Sequence, residues 1–207
     1  MEATDRRGWE VRERGQWLEL LESVGAVQNG HFLLSSGRHS ERYVQCAKVL
    51  EDPEHAAAVG AELARQMAAD VDRVVSPPLG GILVGYEVAR GLRRPFQFPE
   101  RAPDGLFQLR RGFSIHPGER IAIMEDVITT GRTTRELMGL IRGYGAETVC
   151  VGAIVDRSST HEVDGLPVHA LVRLDIPTYA YGECPLCASG APLTQPGSRK
   201  QDSKGKP

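Results

Sequence analysis

Residues 120–136, RIAIMEDVITTGRTTRE, place two adjacent acids directly after an apolar run. The apolar residues before Glu125 and Asp126 are continuous rather than alternating, which predicts a strand covered on both faces. In open α/β sheets, ligands bind beyond the carboxyl ends of such strands. Carboxylates in that position can accept hydrogen bonds from the vicinal hydroxyl groups of a ligand. The segment therefore predicts a hydroxyl-binding acid pair at the edge of a sheet.

The residues that follow the acid pair predict a phosphate site. Thr133 and Glu136 have the spacing of a capping box, which indicates a helix that begins at about Thr133. The turn 129–132 then leads into a helix N-terminus, where free N–H groups and the positive end of the helix dipole favour an anion. Gly131 lets the backbone approach that anion closely. Together, the acids and the turn describe a site for a sugar 5-phosphate; the alternative is a surface turn with two solvated acids.

Strand-like and helix-like segments alternate on both sides of this turn. Helices are predicted at 17–24, after Pro53, at 82–92 and at 133–143, and a loosely alternating stretch at 31–46 suggests a hairpin. A further two-stranded excursion is predicted around Asp104-Gly105. Strands that alternate with helices predict βαβ units and a mostly parallel sheet. The predicted strands are RVVS (73–76), RPFQF (94–98), IAIME (121–125), TVCVGAIV (148–155) and VHALVRL (168–174).

Length and composition are those of one globular domain. The 207 residues are 41% hydrophobic and 25% charged, with a formal net charge of −2. This charge gives no electrostatic case for nucleic acid or a membrane as the main partner. The first residues lack the apolar run of a secretory signal, and no stretch reaches the roughly 18 apolar residues of a spanning helix, so we expect a cytoplasmic protein. We expect a single domain over residues 1–190 and a disordered tail at 191–207.

The stretch 120–136 resembles the phosphoribosyl-diphosphate signature of the type I phosphoribosyltransferases. Three further stretches are similar to orotate phosphoribosyltransferase in particular: HFLLSSGRHSERY (31–43), VSPPLGGILVGYEVA (75–89) and VDRSS (155–159). The resemblance covers roughly residues 17–175. It implies a type I phosphoribosyltransferase-like α/β fold, with a central, mostly parallel five-stranded sheet flanked by helices and a small N-terminal hood contributed by about residues 17–50.

The same resemblance implies an activity and a site. The activity is the Mg²⁺-dependent transfer of the 5-phosphoribosyl group from phosphoribosyl diphosphate to orotate, giving orotidine 5′-phosphate and pyrophosphate in de novo UMP synthesis, by a homodimer. Glu125, Asp126 and Arg101 would be catalytic, and the two acids would bind the ribose hydroxyl groups. The remaining assignments are the 5-phosphate to Thr129, Thr130, Gly131, Arg132 and Thr133, the pyrophosphate to Gly80, Gly81 and Arg101, and orotate to Ser36, Gly37, Thr129 and Arg157.

The sequence departs from the family pattern in the segments around the leaving group. Ser35 and Gly80 stand where family members commonly have lysine. The loop that resembles the family's mobile catalytic loop offers Arg101 and, as weaker candidates, Arg110 and Arg111, without lysine or histidine.

Several alternatives stay open at this point. Arg157 follows Asp156 directly, so the two could form a structural ion pair, and Gly80 and Gly81 could simply begin a helix. A transferase for a purine or uracil would share the 120–136 loop, but a neutral base needs no arginine for a carboxylate. A third possibility is a non-catalytic regulator on the same fold that binds RNA through a basic face.

Cys184 and Cys187 form a CxxC, which is half of a tetrahedral zinc site. The other half could come from the same pair in a second subunit; the alternatives are surface thiols or a redox pair. Among the six histidines, His39 lies in the substrate-like segment and is a candidate for the active site. His31 and the other four lack a spacing typical of metal ligands and are predicted to be ordinary polar residues.

Overall fold

The computed structural model describes residues 14–34, 36–67 and 70–196, and the chain divides into two compact units. The first unit comprises the described parts of Met1–Ala26 and Gln45–Asp175. The second comprises those of Val27–Val44 and Ile176–Pro207. Of the predicted hood at about 17–50, residues 27–44 thus belong to the second unit. No helix in the described ranges is long and apolar enough to span a membrane.

Helices and strands alternate through the first unit, as predicted. In the described residues of both units, the α-helices are α1 (Arg14–Ser23), α2 (Ala47–Leu50), α3 (Pro53–Gln66), α4 (Gly80–Leu92), α5 (Arg132–Gly143) and α6 (Pro185–Ala188), with a 3₁₀ turn at Tyr181–Glu183. The strands are β1 (Val27–Leu33), β2 (His39–Val44), β3 (Arg73–Val75), β4 (Phe96–Gln97), β5 (Glu100–Arg101), β6 (Phe107–Gln108), β7 (Arg120–Ile128), β8 (Glu147–Asp156), β9 (Glu162–Val163), β10 (Leu166–Arg173) and β11 (Thr178–Tyr179).

A six-stranded sheet forms the centre of the first unit. Its strand order is β4-β3-β7-β8-β10-β9, in which the first five strands are parallel and β9 is antiparallel to β10. The predicted five-stranded, mostly parallel sheet is therefore confirmed. The added edge strand β9 was not predicted, because two residues are too few to show a period of alternation.

The central strand β7 and the following helix α5 position the predicted site. β7 lies between β3 and β8, and its residues 121–124 are fully buried, as expected for a strand covered on both faces. α5 packs Leu137 and Ile141, also fully buried, into the same hydrophobic core as Ile121 and Ile123. The turn between β7 and α5 is thus held at both ends by core packing.

A short hairpin interrupts the alternation before β7. β5 and β6 pair antiparallel, with Arg101 opposite Phe107, and Gly105 between them adopts a φ of 83°. Positive φ is readily accessible to glycine, which suits this residue to a tight turn. The predicted excursion around Asp104-Gly105 is confirmed.

The second unit is built on a three-stranded antiparallel sheet in the order β1-β2-β11. β1 and β2 form the hairpin predicted for residues 31–46. Thr194 extends this sheet: its N–H donates to the His31 carbonyl at 2.8 Å, and its carbonyl accepts from Leu33 N–H at 2.9 Å. Residues 191–196, assigned by the sequence to a disordered tail, therefore belong to the fold, because Thr194 satisfies backbone groups of β1. The remainder of that tail, 197–207, lies outside the described residues.

Candidate active site

Glu125 and Asp126 occupy the last part of β7, where they point to opposite faces of the sheet because they are successive strand residues. Glu125 is 5% exposed, and its Oε1 accepts a hydrogen bond from Thr134 Oγ1 of α5 at 2.8 Å. Asp126 lies on the side of α4: a Cβ atom added to Gly80 would overlap its carboxylate. Glu125 is therefore bonded to the N-terminal part of α5, and Asp126 lies beside the first residue of α4.

Burial changes the acidity of both groups. It raises the pKa of Glu125 to about 7, with a further increase from neighbouring Asp126 and an opposing decrease from the Thr134 hydrogen bond. Burial also raises the pKa of Asp126, against the stabilising hydrogen bond that its Oδ1 accepts from Val127 N–H at 2.9 Å. Hydroxyl donors or a cation would favour the ionised forms of these carboxyls.

Thr134 is a site residue that sequence reasoning missed. It is fully buried and gives Glu125 its hydrogen bond. The available signal was a hydroxyl residue on the apolar face of an amphipathic helix, three positions before buried Leu137. A buried polar group usually has a hydrogen-bond partner, and here the partner is Glu125, nine residues earlier in the sequence.

The turn after the acids is an uncapped helix N-terminus. α5 begins at Arg132, and the residue before it is Gly131, with a φ of 70° and no side chain to cap the helix. Among described residues, the backbone N–H groups of Thr129, Thr130 and Gly131 have no hydrogen-bond acceptor. Arg135 of α5 stabilises the turn, because one of its Nη atoms donates to the Thr130 carbonyl at 2.7 Å. These free donors and the helix dipole make the turn suitable for a phosphate.

The predicted capping box is absent, and Glu136 has other partners. Its carboxylate accepts from Arg132 Nε at 3.0 Å and from an Nη of Arg101 at 2.7 Å. Charge-assisted hydrogen bonds to guanidinium groups are stronger than a bond to a backbone N–H, and the glycine N-cap offers no reciprocal hydroxyl. The prediction of a helix starting near Thr133 is confirmed within one residue, but the capping mechanism inferred for it was wrong.

Gly80 and Gly81 begin α4, which follows β3 after a short turn. Gly81 is buried, and a Cβ atom there would lie 3.0 Å from the Met124 carbonyl oxygen, so β7 and α4 approach closely at this position. At Gly80 any Cβ would collide with the Asp126 carboxylate. A side chain at position 80, such as the lysine common in the family, would therefore require the Asp126 carboxylate to shift from its position here.

The three loop arginines differ in their contacts. Arg101 donates to Glu136 and to the Gly105 carbonyl, and its guanidinium carbon lies 4.0 Å from the centre of the Phe107 ring. Arg111 pairs with Glu100 at 2.6 Å. Arg110 is exposed and pairs with no carboxylate in the described ranges. Of these three arginines, Arg101 is the one that contacts α5 among the described residues, through Glu136.

Arg157 stands directly after β8, beside the end of β7. Its backbone N–H donates to the Ile128 carbonyl at 2.8 Å, one residue before Thr129. The side-chain Nε is buried and has no hydrogen-bond partner among the described residues, and burial lowers the pKa of Arg157. Asp156 does not supply the partner, because it accepts from Ser158 and pairs with His161 at 2.7 Å. The Asp156–Arg157 ion pair considered from the sequence is therefore not formed.

Ser36 and Gly37 lie in the turn between β1 and β2, in the second unit. Both are exposed, and Gly37 has a φ of 76°. Neighbouring Ser35, where the family commonly has lysine, lies outside the described residues.

The raised pKa of Glu125 predicts how stability depends on pH. Its folded pKa of about 7 exceeds the value of 4.5 for an unperturbed glutamate. Between these pH values the folded state holds a proton that the unfolded state has lost, so the free energy of unfolding falls as pH rises and then levels off above about 7. Glu125→Gln removes this proton but keeps an acceptor for Thr134. The difference in the free energy of unfolding between the variant and the wild type should therefore grow by roughly 3 kcal/mol, in favour of the variant, as the pH rises from about 5 to about 8.

Urea unfolding at the two pH values measures this difference. Exposed Glu147→Gln is the matched control and should follow the wild type at both. Equal pH slopes for Glu125→Gln and the wild type would show that the Glu125 carboxyl titrates normally.

Comparison with known proteins gives the family. Residues 47–169 match the family described as Phosphoribosyl transferase domain. The chain is 49% identical over 182 residues to the orotate phosphoribosyltransferase of Thermotoga maritima, covering 87% of this chain and 97% of that protein. It is 47% identical over 189 residues to that of Sphingopyxis alaskensis, with 89% and 96% covered.

Solved structures agree with this result. The orotate phosphoribosyltransferase of Aeropyrum pernix superposes with a TM-score of 0.64 at 25% identity, over 75% of this chain and 92% of that one. That of Mycobacterium tuberculosis, in complex with inorganic phosphate, gives 0.61 at 27% identity over 78% and 95%. The chain therefore belongs to the phosphoribosyl transferase domain family and, within it, to the orotate phosphoribosyltransferases.

Proposed function

We propose that this chain transfers the 5-phosphoribosyl group of phosphoribosyl diphosphate to a ring nitrogen of orotate, releasing pyrophosphate. The observation that carries the proposal is the strand–turn–helix of β7 and α5. It holds one buried and one half-buried carboxylate and an uncapped helix N-terminus within nine residues, 125–133. These are complementary to the hydroxyl groups and the phosphate at the two ends of a phosphorylated pentose.

In this proposal Glu125 and Asp126 accept hydrogen bonds from the ribose 2- and 3-hydroxyl groups. The free N–H groups of the turn 129–131, with the hydroxyl groups of Thr129, Thr130 and Thr133, bind the 5-phosphate. Arg132 lies at the first position of the helix and adds positive charge at the same end. The sugar is thus fixed at both ends, with C1 free for attack.

The leaving pyrophosphate is assigned to the start of α4. The N–H groups at Gly80 and Gly81 lie at a helix N-terminus and beside Asp126, so an anion there would adjoin the acid pair. Asp126, on the same side as this helix end, would be the carboxylate for Mg²⁺, because carboxylate oxygens are ligands that this ion prefers and because a cation would offset the pKa increase caused by burial. When bound, Mg²⁺ supplies positive charge to the pyrophosphate oxygens.

Cleavage of the C1–O bond builds positive charge on the ribose ring and negative charge on pyrophosphate. The ionised carboxylates on β7 stabilise the first, and loop cations stabilise the second. Arg101 can act at pyrophosphate only after it leaves Glu136, so its proposed role requires the β5–β6 hairpin to change partners.

Arg157 selects the base. Its buried Nε has no partner in the part of the chain that the structure describes, and a guanidinium matches a carboxylate in two-point geometry. Orotate carries such a carboxylate, whereas adenine, xanthine and uracil do not. The roles of Ser36 and Gly37 at orotate, the homodimer and the cytoplasmic location stay predictions of the family resemblance.

The test is pyrophosphate release from phosphoribosyl diphosphate and Mg²⁺ in the presence of each base. We expect orotate to support turnover at least about 10³-fold faster than adenine, xanthine or uracil, because a site built to hydrogen-bond a group of the substrate strongly rejects a base that lacks that group. Turnover with a purine and none with orotate would reject the proposed substrate. Salt-sensitive RNA binding in place of any turnover would instead favour the regulator.

A further inference from the structure

The second unit brings four metal-binding side chains together. Nε2 of His31, Nδ1 of His39 and the Sγ atoms of Cys184 and Cys187 all lie within 4.8 Å of one another. All four residues belong to the same compact unit, and all four cysteines of the chain are free thiols. None of these side chains has a place in the proposed transferase chemistry.

The fold assembles this cluster from one hairpin and one segment that is distant from it in sequence. In the β1–β2 hairpin, Leu33 pairs with His39, and His31 lies two residues before Leu33 on the same strand face. His31 and His39 are therefore diagonal neighbours across the hairpin. Cys184 precedes the first residue of α6, and Cys187 lies one helical turn later, so both thiols face the same way.

Distances within the cluster match tetrahedral zinc. Zinc bonds of about 2.3 Å to sulfur and about 2.0–2.1 Å to nitrogen place sulfur and nitrogen ligands about 3.5 Å apart. The separations here are 3.5 Å from Cys184 Sγ to His31 Nε2, 3.6 Å from Cys187 Sγ to His31 Nε2, and 3.3 Å from Cys187 Sγ to His39 Nδ1. The two ring nitrogens lie 2.8 Å apart, so a bound ion requires the imidazoles to separate by only roughly half an ångström.

A backbone carbonyl orients His31 toward the cluster. Nδ1 of His31 lies 2.9 Å from the Ala191 carbonyl oxygen, which can only accept, so Nδ1 carries the proton. The lone pair of Nε2 then points at the other three ligand atoms. Metal-binding histidines usually hold their tautomer by such a bond from the second ring nitrogen.

The second unit has few buried apolar side chains, which indicates a structural role for the cluster. Among its described residues, the buried apolar side chains are Val27, Phe32 and Ile176, apart from Cys184. His31, His39 and Cys184 are themselves at most 4% exposed, so polar ligand groups occupy the place of an apolar core. Folded units of this size usually need a disulfide or a metal for stability, and the thiols here are unpaired.

We propose that His31, His39, Cys184 and Cys187 of a single chain bind one structural Zn²⁺ ion. Two thiolates and two imidazoles in tetrahedral arrangement favour zinc, and four protein ligands leave no open position for substrate. The ion ties the CxxC segment to the β1–β2 hairpin. The proposal differs from two expectations drawn from the sequence: that His31 is an ordinary polar residue, and that the other half of the site could come from a second subunit. The proposal is independent of the transferase assignment.

Metal content of the full-length chain is the first test. Protein produced with added zinc and dialysed under reducing conditions should retain about one zinc per chain. Replacement by Co²⁺ should give the intense visible absorption of tetrahedral cobalt together with a thiolate-to-cobalt charge-transfer band, which only sulfur ligation produces. Chelation should lower the melting temperature of the wild type, because the binding free energy contributes to folding.

Paired variants assign the ligands. Cys187→Ser and His39→Gln should each weaken zinc binding by at least about a hundredfold, since even outer partners of a ligand contribute ten- to a hundredfold. Cys150→Ala, in the core of the first unit, and exposed His116→Gln are the matched controls and should keep about one zinc per chain. The cobalt spectrum of the wild type decides the question if a ligand variant does not fold.

Two results would overturn the proposal. One is a reduced wild type that holds far less than one zinc and gives no thiolate-to-cobalt band. The other is wild-type zinc content in both ligand variants, which would place the metal elsewhere in the chain.

Discussion

Asp126→Asn should reduce kcat/KM for pyrophosphate release by roughly 10²–10³-fold, the size of effect seen when one preorganised electrostatic partner of a transition state is removed. The substitution is isosteric, and the amide oxygen can still accept from Val127 N–H. What it removes is negative charge beside the sugar, where positive charge develops as the C1–O bond breaks. The variant should be at least as stable as the wild type. Burial raises the pKa of Asp126 because it disfavours the charged carboxylate, and a neutral amide does not carry that desolvation cost.

Steady-state assays with varied phosphoribosyl diphosphate measure this effect, and thermal unfolding checks the fold. Exposed Asp175→Asn is the matched control, with kinetics expected to equal those of the wild type. If Asp126→Asn keeps both its affinity for phosphoribosyl diphosphate and its turnover, Asp126 does not bind the sugar.

Arg157→Leu should raise the KM for orotate about a hundredfold while leaving the affinity for phosphoribosyl diphosphate unchanged. Removal of one partner from a buried, hydrogen-bonded charge pair typically costs 2–5 kcal/mol, which corresponds to about 30-fold or more in binding. Arg157→Lys should recover only part of the loss, because an ammonium group has no planar fork for two-point contact.

The stability of Arg157→Leu separates substrate recognition from a structural role. Arg157 is half-buried, its Nε has no hydrogen-bond partner among the described residues, and burial lowers the pKa of Arg157, so its removal should not cost the unliganded fold stability. We expect the melting temperature of the variant to equal or exceed that of the wild type. Arg142→Gln, at an exposed position near the end of α5, is the control for general loss of positive charge. A lower melting temperature with equal losses of both substrates would identify Arg157 as a structural residue.

The sequence predicts the parts of this fold that depend on local pattern. The continuous apolar run before Glu125 indicates a buried central strand, and β7 is one. The turn signal at Asp104-Gly105 marks the β5–β6 hairpin, and amphipathic spacing marks α5 to within one residue. In each case the residues that determine the structure are neighbours in sequence.

The parts that the sequence does not predict depend on contacts between distant residues. Glu136 has capping-box spacing, but Arg101, 35 positions earlier in the chain, is one of its actual partners. His31 and Cys184 are 153 positions apart and meet only because the chain returns to the β1–β2 hairpin. Spacing rules for metal ligands detect pairs on one element, such as the CxxC, and miss ligands contributed by separate strands.

The binding position of the pentose tests the central claim most directly. In a crystal structure of the chain with phosphoribosyl diphosphate and Mg²⁺, we predict the 5-phosphate oxygens at hydrogen-bonding distance, about 2.7–3.2 Å, from the N–H groups of the turn after β7. The ribose hydroxyl groups should lie at the same distance from Glu125 and Asp126. A sugar bound away from β7, or a phosphate held by other residues while the turn stays empty, would contradict the proposed site.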